Sequence, residues 1–354
     1  MWGLGVLALV ASACAAAPVA DITLVRRAPV TTTTAVAVHA AATAAPEPTI
    51  PEAPDPPPPP PPPPLPPPTA PPPPAAADDA AHRRAGMHAY VGLGTWIDVY
   101  DWSRTFGKDG PLVEIEDVDR MVEVGVQTLY VQTSKWDAPD DILEPERLLP
   151  IIARARERGL AVVAWYLPTF EDPATDLRRL LAMSRLDVDS VAVDIESRAV
   201  GDVAERNRRL IALSAELRAA LPDLSLGAIP FPPVVMEVVN PAFWPDFPWA
   251  ELAPLYDVWL PMSYWTDRKQ SSGYREGHRY TAENIDRMRA ALGRPHAPVH
   301  SIGGIADRAS GPDVEGMVRA CVERGCLGGS LYDWRTSFPE LWPWLQPFRN
   351  PERR

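Results

Sequence analysis

The chain has 354 residues, of which 44 are proline, and it carries a formal net charge of −12 at pH 7. Because the prolines are concentrated before residue 75, the length leaves room for one large folded unit of about 260 residues rather than two. The acidic balance excludes a nucleic-acid backbone as partner, since binding to phosphates needs clustered Lys and Arg.

The first residues, MWGLGVLALVASAC, form an apolar run that ends in small residues. Such a run predicts a secretory signal over residues 1–20, and it is too short to predict a membrane-spanning helix. The sequence Ala11-Ser12-Ala13-Cys14 resembles a lipoprotein box, which implies lipidation of Cys14. We therefore expect an extracellular or envelope-associated protein, with plain secretion and an uncleaved apolar tail as the alternatives.

Residues 21–86 consist mainly of Ala, Thr and Pro, and they include an unbroken proline run over Pro56–Pro64. Such a segment cannot bury enough apolar surface to offset the entropy lost on ordering, and its prolines favour an extended polyproline II conformation. We predict a disordered linker that tethers a globular head to a membrane or wall. Docking of the prolines on an SH3-type partner is the alternative.

Strand-like and helix-like segments alternate over residues 87–348, and a short tail covers 349–354. The helix-like segments, such as LLPIIARARERGL, have apolar residues at three- and four-residue spacing. This alternation predicts an α/β fold, a monomeric (β/α)8 TIM barrel whose fifth helix is the weakest. A doubly wound open sheet is disfavoured because no GxGxxG follows the first strand. The predicted strands are Tyr90–Ile97, Gln127–Gln132, Ala161–Tyr166, Ser190–Ile195, Leu224–Ile229, Val258–Tyr264, His300–Ile305 and Gly328–Tyr332.

The fourth predicted strand carries the most informative polar residues, in the segment DSVAVDIE that begins at residue 189. Alternation along the strand places Ala192, Asp194 and Glu196 on the face toward the barrel axis. Two carboxylates near the catalytic end of a barrel are costly to desolvate, and their repulsion should raise one pKa, as a general acid requires. Pairing with a cation is the alternative, and Lys135 and Arg335 are the nearest candidates.

This segment resembles the DxxDxDxE motif of the chitinase-type family 18 glycoside hydrolases. Asp189, Asp194 and Glu196 match three of its four positions, and Ala192 replaces the middle Asp. The resemblance implies a retaining reaction in which Glu196 protonates the glycosidic oxygen. It implies that Asp194 positions and stabilises the acetamido group of the substrate, which acts as nucleophile.

Two later segments resemble motifs of the same family. MSYW, residues 262–265, is similar to the Met-x-Tyr-Asp of the sixth strand, which implies that Tyr264 hydrogen-bonds the acetamido group, while Trp265 replaces the Asp. GGSLYDWRT is similar to the Gly-Gly-x-x-x-Trp of the last strand, with Trp334 displaced by one residue. We expect Asp333 beside it to be a secondary group of the site.

A rival resemblance is to the family 25 lysozymes, which also have a DxE on the fourth strand. They carry an Asp on the first strand in a Gly-x-Asp-Val setting, and here Asp98 follows GLGTWI at the predicted strand end. Both families are barrels that cleave N-acetylated sugars, and both resemblances therefore imply the same substrate class.

Aromatic residues lie at or just beyond several predicted strand ends, where flat rings could stack on pyranose faces. Capping of the barrel core is the alternative, particularly for residues that face the helices. The long loop after the sixth strand, TDRKQSSGYREGHRYTAEN, carries cations that suit an anionic muramyl or uronic sugar or merely face solvent. The aromatic residues are Trp96, Trp102, Trp136, Trp165, Trp265, Tyr332 and Trp334.

The sequence thus predicts an exported glycoside hydrolase that acts on an N-acetylated glycan such as chitin or peptidoglycan. A catalytically inactive, tethered glycan-binding barrel is the alternative, and a metal-dependent hydrolase is disfavoured because strand-end histidines are scarce. No cofactor and no metal are expected, and Cys321 and Cys326 are either free thiols or a bridge. The predicted catalytic residues are Glu196, Asp194 and Tyr264, and the predicted substrate-binding residues are Asp98, Trp96, Trp136, Asp189, Trp265, Asp333 and Trp334.

Overall fold

The computed structural model describes residues 86–107 and 111–352. The predicted signal over residues 1–20, the lipidation site Cys14 and nearly all of the predicted linker lie outside the described residues. Within the described ranges, no helix combines the length and the hydropathy that crossing a bilayer requires.

Eight parallel strands form the centre of the fold, and their order is β6-β5-β4-β3-β2-β1-β8-β7. Bridges from Trp259 to Val299 and from Met262 to Ile302 join the two outer strands, so that the sheet closes on itself. The predicted barrel is confirmed, and closure rules out the open sheet. The strands are β1 Gly92–Ile97, β2 Thr128–Gln132, β3 Ala161–Tyr166, β4 Ser190–Ile195, β5 Leu226–Pro230, β6 Val258–Trp259, β7 His300–Ile305 and β8 Gly328–Tyr332.

A helix follows each strand, although the helix after β5 is a single turn, as its weak pattern predicted. Short helical segments fill several of the connections: Met87–Tyr90, Val99–Trp102, Val235–Val239, Trp265–Asp267, Gln270–Ser272, Ala306–Arg308, Pro339–Leu341 and Gln346–Phe348. The main helices are α1 Ile115–Glu123, α2 Pro145–Glu157, α3 Pro173–Met183, α4 Val203–Ala220, α5 Trp249–Leu252, α6 Gly277–Ala291, α7 Gly311–Glu323 and α8 Trp342–Leu345.

Helix starts are fixed by local sequence. The side chains of Asp172, Asp202 and Ser310 accept hydrogen bonds from the first-turn N–H groups of α3, α4 and α7. These contacts satisfy donors that a helix leaves unpaired at its start. Prolines at the first positions of α2, α3 and α7 do not destabilise these helices, because the N–H groups of the first turn have no partner within the helix.

Tyr90 differs from its prediction as a strand residue, because it ends a 3₁₀ turn that closes the amino end of the barrel. Its hydroxyl lies 2.6 Å from Ser190 Oγ and donates to the Val191 carbonyl at 3.3 Å. Above it, the ring of Tyr130 stacks on Trp96 with centroids 4.1 Å apart. Aromatic side chains therefore fill the lower barrel.

Cys321 and Cys326 are free thiols at the end of α7 and just before β8. The backbone N–H of Cys326 donates to the Cys321 carbonyl at 2.9 Å, which ends the helix. Of the two alternatives left by the sequence, the structure has the unbridged one.

The packing around Gly227 on β5 gives a test of the filled interior. An alanine Cβ at this position would lie 2.6 Å from the Tyr90 hydroxyl oxygen and 3.1 Å from the Ala192 Cβ. We expect Gly227→Ala to lower the free energy of unfolding by about 1–3 kcal/mol, because the buried Tyr90 has no room to retreat. Urea unfolding at equilibrium measures this change. Gly201→Ala is the matched control, since nothing lies within 4 Å of its Cβ, and equal effects of the two substitutions would contradict the packing.

Candidate active site

The carboxyl end of β4 delivers Asp194 and Glu196 to the barrel mouth. Ala192 faces the interior, beside position 227 and the Tyr90 hydroxyl. Since side chains alternate along a strand, Asp194 and Glu196 share this face in successive layers. Their exposed fractions are 4% and 8%. Oδ1 of Asp194 and Oε2 of Glu196 are buried and have no hydrogen-bond partner within the described ranges. We call these two residues the acid pair.

Burial changes the protonation of the acid pair. Desolvation raises the pKa of Asp194 well above its ordinary value. The pKa of Glu196 is also raised well above its ordinary value, first by desolvation and then by the negative charge of Asp194. Because two adjacent carboxylates resist joint ionisation, the acid pair retains a proton to a higher pH than an exposed carboxyl group does. A retained proton is what a general acid needs.

Three more carboxyl groups, from Asp98, Asp101 and Asp333, form a second acidic centre at the same end of the barrel. One oxygen of each lies within 4.8 Å of the others. The residues come from the segments after β1 and β8. Asp98 and Asp101 cap the turn Val99–Trp102 reciprocally, since the Asp98 side chain accepts from N–H groups of the turn and the Asp101 side chain accepts from the Asp98 N–H. The Tyr332 hydroxyl donates to Asp98 Oδ2 at 2.6 Å.

Mutual repulsion and burial also act in the second acidic centre. Burial raises the pKa of Asp333 to about 6, and the charge of Asp98 adds to the effect. The pKa of Asp101 is raised well above its ordinary value, mainly by burial and then by the charges of Asp98 and Asp333. The Arg335 guanidinium lies 3.5 Å from Asp101 Oδ1 and opposes these shifts. Among the described residues, this centre is the one group of carboxylates with the spacing to hold a metal ion.

The acid pair and the second acidic centre lie on opposite sides of the carboxyl end of the barrel. In the closed strand order, β4 and β8 lie on opposite sides of the barrel. Tyr264, which follows β6, lies near the second acidic centre, with its ring 6.0 Å from the ring of Tyr332. A ligand that enters the mouth therefore meets carboxylates on two sides and a tyrosine between them.

The predicted aromatic platforms are mostly buried. Trp96 is 1% exposed, and its indole N–H donates to Ser330 Oγ inside the barrel, so it belongs to the floor below the mouth. Trp265 is fully buried beneath β7, so its prediction as a sugar contact is wrong. Trp334 is half-buried and donates to Asp117 on α1, which turns it away from the mouth. Trp136 is 43% exposed and keeps an accessible ring face.

The prediction for Asp189 is wrong, since this residue lies at the opposite end of the barrel. It precedes β4, pairs with Arg156 and accepts a hydrogen bond from the Val162 N–H at 2.8 Å. Its role is to join the amino ends of β3 and β4. Ala192 is fully buried, one layer above Ser190, whose Oγ lies 2.6 Å from the Tyr90 hydroxyl.

Cations near the mouth differ in their contacts. The Lys135 ammonium pairs with Asp137. The Arg198 guanidinium, two residues after the acid pair, lies 4.6 Å from the ring centre of Phe243. In the loop after β6, Arg268 Nε is buried without a hydrogen-bond partner within the described ranges. The anionic sugar that the basic loop suggested stays a prediction.

Asp101 and Tyr332 were not among the predicted site residues, although both contact Asp98. The spacing of Asp98 and Asp101 is that of a capping box, which is a signal that the sequence does carry. The contact between Asp98 and Tyr332 depends on closure between β1 and β8, and no local pattern reveals it.

Several solved structures share this fold. The spore cortex-lytic enzyme SleL of Bacillus megaterium QM B1551 is 9% identical, with a TM-score of 0.54 over 75% of this chain and 75% of that one. The family GH18 chitinase of Cycas revoluta, solved with allosamidin, is 10% identical, with a TM-score of 0.54 over 72% and 98% of the two chains. A class V chitinase of Pseudomonas fluorescens Pf-5 is 9% identical, with a TM-score of 0.52 over 73% and 99%.

No protein-family model matches the chain, and no curated protein matches it in sequence. At identities near 10%, the structural likeness establishes the barrel fold, and the activity has to be argued from the site.

Removal of the Asp194 charge tests the coupling within the acid pair. We expect Asp194→Asn to lower the pKa of Glu196, because the neighbouring negative charge that disfavours its ionisation is lost. Carboxyl ¹³C NMR of glutamate-labelled protein follows this titration. Asp187→Asn, an equal charge change at the other end of the barrel, should leave the pKa of Glu196 unchanged. An unchanged or higher Glu196 pKa in Asp194→Asn would contradict the coupling.

Proposed function

We propose that the protein is a glycoside hydrolase that cleaves a glycan of N-acetylated amino sugars, such as chitin or peptidoglycan, with Glu196 as general acid. The observation that carries the proposal is the buried Glu196 carboxyl group, which has a raised pKa and an oxygen without a partner beside Asp194. The shared fold with chitinases and a cortex-lytic enzyme supports the same reaction class.

In this proposal, Glu196 protonates the glycosidic oxygen as the bond breaks, which removes the need to expel an alkoxide. Asp194 carries the negative charge of the acid pair and stabilises the positive charge that develops on the sugar. The buried mouth strengthens this attraction because little water screens it. After the leaving group departs, the Glu196 carboxylate can accept a proton from the attacking water.

The nucleophile of the first step would be the acetamido oxygen of the substrate, as the chitinase resemblance implies. In this proposal, Tyr264 after β6 hydrogen-bonds this group, and Asp98 and Asp333 bind sugar hydroxyl groups from the other side of the mouth. Ala192 departs from the chitinase motif, so that Asp194 has no carboxylate below it with which to share a proton. Asp194 therefore acts as an anion and not as a proton relay.

A tethered barrel that binds glycan without cleaving it is the second candidate, and the alanine at position 192 favours it. Product analysis separates the two functions. New reducing ends from N-acetylglucosamine oligomers or peptidoglycan support the hydrolase, whereas retention on the polymer without new ends supports the binding protein.

Neutralisation of Glu196 tests the proposed acid. We expect Glu196→Gln to lower kcat by about 10²–10⁴ on an accepted glycan, because the amide cannot donate the proton. The release of reducing ends measures the rate, and circular dichroism confirms the fold. Glu216→Gln on the exposed face of α4 is the matched control and should keep the full rate. An unchanged rate in Glu196→Gln would exclude Glu196 as the acid.

We also propose that the protein is exported and anchored through a lipid on Cys14, on the basis of the apolar run and the box that precede it. We expect the chain expressed in a bacterium to incorporate a labelled fatty acid and to partition into detergent. Cys14→Ala should abolish both, and absence of label from the unaltered chain would overturn the proposal.

A further inference from the structure

Two arginines near the carboxyl end of β4 carry positive charge that no described carboxylate balances. Arg198 lies two residues after Glu196 and is exposed, whereas Arg206, in the first turn of α4, is 2% exposed. Neither forms an ion pair within the described ranges, although the chain has 46 acidic against 34 basic residues. Arginines elsewhere, such as Arg154 and Arg178, pair with carboxylates. We call Arg198 and Arg206 the arginine pair.

The loop after β5 supports both side chains through aromatic rings. The guanidinium carbon of Arg198 lies 4.6 Å from the ring centre of Phe243, and that of Arg206 lies 4.2 Å from the ring centre of Trp244. Phe243 in turn stacks on Phe231, with centroids 4.2 Å apart. A guanidinium that rests on a ring keeps N–H donors at its edge, where a planar carboxylate can accept two of them. The rings therefore hold cationic donors in place.

The contacts of Arg206 itself show that this charge lacks a partner. Its Nε is buried without a hydrogen-bond partner among the described residues, while its Nη1 donates to the Val200 carbonyl at 3.2 Å. Burial, followed by the charge of Arg198, lowers the pKa of Arg206. A buried guanidinium is normally paired, because desolvating an unpaired charge is costly. An anion bound beside the arginine pair would offset the repulsion between the two cations.

The arginine pair lies close to the proposed acid and does not neutralise it. Arg198 forms no ion pair with Glu196, and the charge that acts on the pKa of Glu196 is that of Asp194. The Cα atoms of Glu196 and Arg198 are at most about 7 Å apart, because two residues of chain span no more than that. A glycan cleaved at Glu196 therefore passes within reach of the Arg198 side chain.

The chemistry of the arginine pair favours one class of ligand. A neutral N-acetylated glycan offers amide and hydroxyl oxygens, which would leave both charges unbalanced. A carboxylate accepts two parallel hydrogen bonds from one guanidinium and balances charge in the same contact. In glycans that contain N-acetylated amino sugars, carboxylates occur as the lactyl group of muramic acid or on an alternating uronic acid.

We propose that Arg198, supported by Arg206, binds a carboxylate of the glycan beside the bond at which Glu196 acts. This inference rests on the proposed hydrolase function for the path of the glycan. It narrows the substrate class from N-acetylated glycans in general to acidic ones, and it makes Arg198 a residue that determines specificity.

Binding to the variant Glu196→Gln tests the inference without turnover. The probes are tetramers of N-acetylglucosamine alone, of N-acetylglucosamine alternating with peptide-free N-acetylmuramic acid, and of N-acetylglucosamine alternating with glucuronic acid. In calorimetric titrations at neutral pH, we expect one acidic tetramer to bind about tenfold more tightly than the neutral one, because a charged hydrogen bond is worth about that factor. The preferred tetramer identifies the source of the carboxylate. Added salt or methyl esterification of the carboxylate should weaken the preference.

Arg198→Gln in the same background should remove the preference, because it deletes the guanidinium charge at an exposed position. Its affinity for the neutral tetramer should stay within measurement error, and circular dichroism confirms the fold. Arg185→Gln removes an exposed arginine before β4, at the opposite end of the barrel, and as the control of equal charge should keep the preference. Arg268→Gln, after β6 and two strands away from β4, should also keep it.

Equal or weaker binding of both acidic tetramers would overturn the inference, and so would a preference that survives Arg198→Gln. A preference that is lost only in Arg268→Gln would overturn it as well and would place the carboxylate on the loop after β6. If an acidic tetramer binds as expected but the unaltered protein releases no reducing ends, the proposed hydrolase fails while the recognition of the carboxylate stands. Release of reducing ends without any preference for an acidic tetramer would have the reverse meaning.

Discussion

The filled interior of the barrel is the constraint on which the rest of the structure depends. Tyr90 closes the amino end, and Tyr130 and Trp96 stack above it. These rings and the small hydroxyl side chains that pair with them, such as Ser190 and Ser330, occupy the lower and middle layers. The carboxyl groups of Asp194, Glu196, Asp98 and Asp333 lie at the carboxyl ends of β4, β1 and β8, where burial raises their pKa values.

Carboxyl groups that lie close together repel one another when they are ionised, and the protein reduces this repulsion in two ways. Some carboxyl groups hold a proton to a higher pH than an exposed carboxyl group does, because burial raises the pKa of Glu196 and of Asp101. Others accept hydrogen bonds from neutral donors, as Asp98 does from Tyr332. The acid pair is nevertheless left with two buried oxygens that no described residue completes.

Regular features of the barrel could be predicted from the sequence because each depends on local patterns. Strand and helix periodicity located all eight strands, and alternation along β4 placed Asp194 and Glu196 on one face. Burial of individual aromatic residues could not be predicted, because Trp96 within β1 and Trp265 after β6 are covered by residues that are distant in sequence and that only the closed barrel brings against them. Asp189 was misassigned because it matches a motif position, whereas its contacts with β3 fix it at the other end.

The described chain enters the barrel at the end opposite the mouth. The turn Met87–Tyr90 plugs the amino end of the strands, where the Tyr90 hydroxyl contacts Ser190 at the start of β4. Asp194 and Glu196 lie at the other end of the same strand. The segment that closes the barrel and the segment that carries the acid pair are therefore separated by the length of β4, so that a change in the plug would act on the acid pair only through the packing between them.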